Sequence, residues 1–64
     1  MRGMVKIEAL RPNGHWYQMA VVTKNDSVIK QALERAAKSP VAEKTRKARA
    51  TDIDTGMLLD ILQL

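Results

Sequence analysis

The chain has 64 residues, with eleven lysines and arginines against seven acidic residues, a formal charge of +4 and no cysteine. A chain this short cannot build two cores and buries only about 60% of the surface that its unfolded form exposes. Residues 1–64 are therefore expected to form a single α+β domain. Without cysteine there are no disulfide staples or thiolate zinc sites, and a lone His15 cannot assemble a histidine cage, so neither a metal nor a cofactor is expected. Self-association is the remaining common remedy for a small core, and a homo-oligomer is the expectation. No apolar run approaches the ~20 residues that span a bilayer, and the N-terminus lacks an apolar leader core. The chain reads as cytoplasmic, with no membrane partner.

In chain order, Val5, Ile7 and Ala9 alternate with Lys6 and Glu8, as in a strand with one buried face. Pro12-Asn13-Gly14 supplies turn chemistry, because proline presets φ while Asn and Gly tolerate positive φ. Trp16 to Thr23 is rich in aromatic and β-branched residues and predicts a second strand. Within it Tyr17, Met19 and Val21 are expected to face the core, with Trp16, Gln18, Ala20 and Val22 opposite. A core without phenylalanine needs large side chains, so at least one of the Trp16 and Tyr17 rings is expected inside it.

Asn25-Asp26-Ser27 offers N-cap side chains ahead of a helix over 27–38. Val28, Ile29, Ala32, Leu33, Ala36 and Ala37 make its apolar stripe. Ser39-Pro40 ends it, and a short helical extension followed by extended chain is expected beyond. The C-terminal part has two readings. Asp54-Thr55-Gly56 suits a type I turn with Gly in the left-handed region, joining strands at 48–53 and 57–62, while Met57, Leu58, Ile61 and Leu62 also fit helical spacing. The first gives a two-layer ββαββ domain, an antiparallel sheet with one helix on one face; the alternative is ββα with a C-terminal helix.

Charge is unevenly distributed. Lys38, Lys44, Arg46, Lys47 and Arg49 stand against Glu43 alone between residues 38 and 49, whereas the last fifteen residues carry Asp52, Asp54 and Asp60 and no base. The basic stretch matches a phosphate backbone, and an exposed Trp16 beside it would stack on an unpaired base. The same lysines and arginines on an edge strand also serve simply to block aggregation. His15 lacks an orienting partner and reads as a turn residue. Asp52 and Asp54 supply too few oxygens for a cation site and suit turn hydrogen bonding, with Asp54 in the leading position. Gly3, Gly14 and Gly56 are isolated, so no phosphate-cradling loop is present.

No catalytic set can be nominated. The expectation is a small non-enzymatic accessory or regulatory protein acting through a macromolecular partner. Nucleic acid is slightly favoured, through Lys38, Lys44, Arg46, Lys47, Arg49 and Trp16. The alternative is a protein-interaction module or homodimer that uses a sheet face or edge, with Trp16, Met57, Leu59 and Ile61 as anchors.

Overall fold

The alternation of Val5, Ile7 and Ala9 with Lys6 and Glu8 becomes strand β1 (Met4–Leu10) in the computed structural model, which describes residues 3–64. β2 (Trp16–Thr23) returns antiparallel to it. At the turn between them Gly14 has φ 88° and donates its N–H to Arg11 O at 3.0 Å, a conformation that costs a residue with a Cβ more than glycine. Helix α1 (Asp26–Lys38) and a 3-10 turn (Pro40–Ala42) follow. A second hairpin closes the chain with β3 (Lys47–Asp52) and β4 (Leu58–Gln63). The four strands form one antiparallel sheet in the order β2-β1-β3-β4, and with the single helix this is an α+β fold.

Asn25 caps α1, its Oδ1 accepting the N–H of Ser27 at 3.0 Å and of Val28 at 3.3 Å. Ser39 closes the far end by donating its hydroxyl to Ala36 O at 2.6 Å. The helix buries Ile29, Leu33, Ala36 and Ala37 against Val5, Ile7 and Ala9 of β1 and Ala48 and Ala50 of β3, with Ala42 sealing one end. Alanine supplies six of these ten buried positions, so helix and sheet approach closely and the core holds no aromatic ring.

Two expectations change. Neither Trp16 nor Tyr17 enters the core: Trp16 is half-buried on the sheet face away from the helix and Tyr17 is exposed. The small side chains between helix and sheet leave no space for a ring. The faces of β2 also differ from simple alternation, because Met19 is skipped between the pairs Ile7–Ala20 and Glu8–Gln18. This bulge puts Val22, Ala20 and Tyr17 on the helix side and Val21, Gln18 and Trp16 on the other, since an extra residue reverses the facing of all that follows. Of the two C-terminal readings the hairpin holds: residues 58–63 are strand, and the alternative of a C-terminal helix is excluded. Pairing with β3 satisfies the backbone groups that face it, and of this strand Leu62 packs against the core.

Candidate nucleic-acid interface

The register determines which charges meet. Leu10 pairs with Trp16 and Lys47 with Gln63, while Thr45 donates its hydroxyl to Leu10 O at 2.7 Å. The end of β1, the start of β2, the start of β3 and the end of β4 therefore share one end of the sheet. The C-terminus of α1 and the 3-10 turn lie there as well, with Arg46 N–H donating to Ala42 O at 2.7 Å. Lys38, Lys44, Arg46 and Lys47 all belong to this end, together with Arg11. Among the described residues none of these five cations lies within 4.0 Å of a carboxylate; the ion pairs are Lys6–Glu8, Lys24–Asp52 and Arg49–Glu8.

Arg46 has φ 53°, the one non-glycine residue at positive φ among those described. Its amide and carbonyl are both used, the carbonyl accepting the Leu64 N–H at 2.9 Å. A Cβ in the left-handed region costs roughly 1 kcal/mol, so the backbone at this position favours glycine. The exposed guanidinium is held there against that preference.

Arg49 and Trp16 have different surroundings from the other site candidates. Arg49 pairs with Glu8 across β3 and β1 on the uncovered sheet face, its Nε donating to Glu8 Oε1 at 2.8 Å. The guanidinium also lies over the Trp16 ring, 4.3 Å from the centroid. Lys6 approaches the same carboxylate at 3.9 Å. Glu8 is only 7% exposed although that face carries no helix, because Arg49 covers it. The charge of Arg49 is thus met within the chain, and one face of Trp16 is occupied by a cation.

The opposite end of the sheet carries the acids. Asp52 accepts from Lys24 Nζ at 3.0 Å and from the N–H groups of Asp54 and Thr55 at 2.9 and 3.4 Å. The Lys24 hydrogen bond, with help from those two amides, holds the Asp52 carboxyl below its ordinary value although burial pushes the other way. Asp52, and not Asp54, is thus the residue that organises the turn; Asp54 accepts the Gly3 N–H at 3.2 Å. His15 is exposed in the first hairpin turn, its N–H donating to Asn13 Oδ1 at 3.0 Å. Among the described residues no three His, Asp or Glu side chains converge on a point, and no helix is long and apolar enough to cross a membrane.

Comparison of the chain with models of known protein families, with curated proteins and with solved structures finds no match. Two participants escape sequence reasoning. Arg11 looks like the last residue of a strand, and only the β1–β3 pairing carries it to the end occupied by Arg46 and Lys47; its guanidinium rests 4.5 Å from the Tyr17 ring centroid. Glu8 looks like a solvated strand residue until the register sets Arg49 opposite it.

Proposed function

We propose that this chain is a small non-enzymatic accessory or regulatory protein that binds the phosphate backbone of nucleic acid through its basic end. Lys38, Lys44, Arg46 and Lys47, joined by Arg11, make the contact, while Arg49 and Trp16 form the scaffold behind it. The observation that carries this reading is the gathering of five cations without carboxylate partners at one end of the sheet. Phosphates replacing their counterions gain affinity, whereas a pre-paired cation such as Arg49 contributes little.

Fluorescence anisotropy with short labelled single- and double-stranded oligonucleotides tests the proposal. Four to five phosphate contacts give a slope of log affinity against log salt of about −4 on duplex, so raising salt from about 50 to 200 mM weakens binding by about 100-fold or more. No binding at the lower salt would reject the reading and leave the protein-interaction alternative.

A further inference from the structure

We infer that two copies of this chain pair through the β2 edge, forming a continuous sheet across a two-fold axis. β2 is an outer strand with one neighbour, β1. The Lys24 N–H donates to Gly3 O at 2.7 Å, and the alternation of an antiparallel ladder then turns the N–H and carbonyl of Val21 and the N–H of Thr23 away from β1, the Thr23 carbonyl accepting the Asn25 N–H at 2.9 Å. Beside this edge, α1 leaves a groove of about 280 Å³ whose apolar floor includes Met19, Ala20, Val22, Val28 and Ala32, with Gln31 and Arg35 of α1 also lining it. An uncovered edge next to an apolar groove offers both backbone hydrogen bonds and burial to a partner strand.

Charge selects a second copy as the occupant. No residue of β2 is charged, so the strand edges of two +4 chains meet without like charges facing, and the one cation of the groove, Arg35, stands in the last turn of α1. Antiparallel pairing then sets the basic end of each protomer beside the partner's end that bears the exposed Asp26 and Asp54, Asp52 there being already paired with Lys24, and runs the two α1 dipoles in opposite directions. The β4 edge is a poorer template. Asp60 stands within that strand, and its Oδ1 already accepts the Ile61 N–H at 2.8 Å.

Size-exclusion chromatography with light scattering, from micromolar to near-millimolar protein, tests the pairing. The wild type is expected to reach the mass of a dimer. Val21→Pro, which removes an outward N–H and leaves the β1 ladder intact, and Ala32→Glu, which places a charge in the groove, are each expected to raise the dissociation constant at least about 100-fold with an unchanged far-UV spectrum. Ile61→Lys is expected to remain dimeric. A wild type that is monomeric throughout, a dimer that survives both β2-side changes, or one lost on Ile61→Lys would overturn the inference. Should either variant fail to fold, amide exchange at Val21 and Thr23 in the wild type decides: protection that rises with protein concentration supports the pairing, and concentration-independent exchange contradicts it.

Discussion

Arg49 and Glu8, forty-one residues apart in sequence, meet across the β3–β1 ladder at 2.8 Å. Because the guanidinium also covers Trp16, this pair closes the middle of a sheet face that no helix protects. Removing the arginine leaves a nearly buried carboxylate without its main partner. Arg49→Ala is therefore expected to destabilise the fold by about 1 to 3 kcal/mol, discounted toward the lower value because the Arg49 side chain is one-third exposed. Urea unfolding measures the loss, and Trp16 emission should shift as its covered face becomes wet. Nucleic-acid affinity should change far less than stability.

Arg46→Gly separates stability from binding in the opposite sense. Glycine relieves the left-handed backbone at φ 53° but gains freedom in the unfolded chain, so stability should stay within about 1 kcal/mol of wild type. The salt slope for nucleic acid should fall in magnitude by about 1 with the loss of one phosphate contact. Parallel denaturation and anisotropy titrations distinguish the two effects.

The Asp52 carboxyl is held below its ordinary value of 3.8 first by the hydrogen bond from Lys24. A depressed carboxyl stabilises the fold at every pH above its unfolded value, and the contribution disappears as pH falls through the lower folded value. Lys24→Met should reduce stability at neutral pH and flatten its fall as pH drops below about 4. Chemical unfolding across that range measures both, and a curve parallel to wild type would deny Lys24 its role.

Asn25→Ala should cost about 1 kcal/mol, because the Ser27 and Val28 amides lose their acceptor. Ala50→Leu should cost about 1 to 3 kcal/mol, since Ala50 has no exposed surface and lies where helix and sheet are close. Thermal unfolding followed by circular dichroism compares the two; a neutral Ala50→Leu would mean that the alanine-lined core has spare volume.

Much of the fold is legible in local chemistry. β2 runs Trp16–Thr23 as its aromatic and β-branched content indicates, and Asn25 caps the helix from the cluster of candidate caps. The bulge at Met19 has no such local signal, so the faces of β2 come out differently from a strict period of two. The composition argument for a buried ring fails because alanines on both layers draw helix and sheet together. For the candidate site, the lysines and arginines of 38–49 are visible as a charge run. That Arg49 is paired, and that Arg11 joins the rest, depends on β1 lying beside β3, a long-range fact that no short stretch encodes.

The most direct test is to compare salt slopes for one duplex oligonucleotide between wild type, the triple variant Lys44→Gln, Arg46→Gly, Lys47→Gln, and the control Lys6→Gln, Lys30→Gln, which lowers net charge elsewhere. The account predicts that the triple variant lowers the magnitude of the slope by about 3 while the control barely changes it. Similar decreases per charge removed in the two variants would contradict a localised interface and assign any binding to net charge alone.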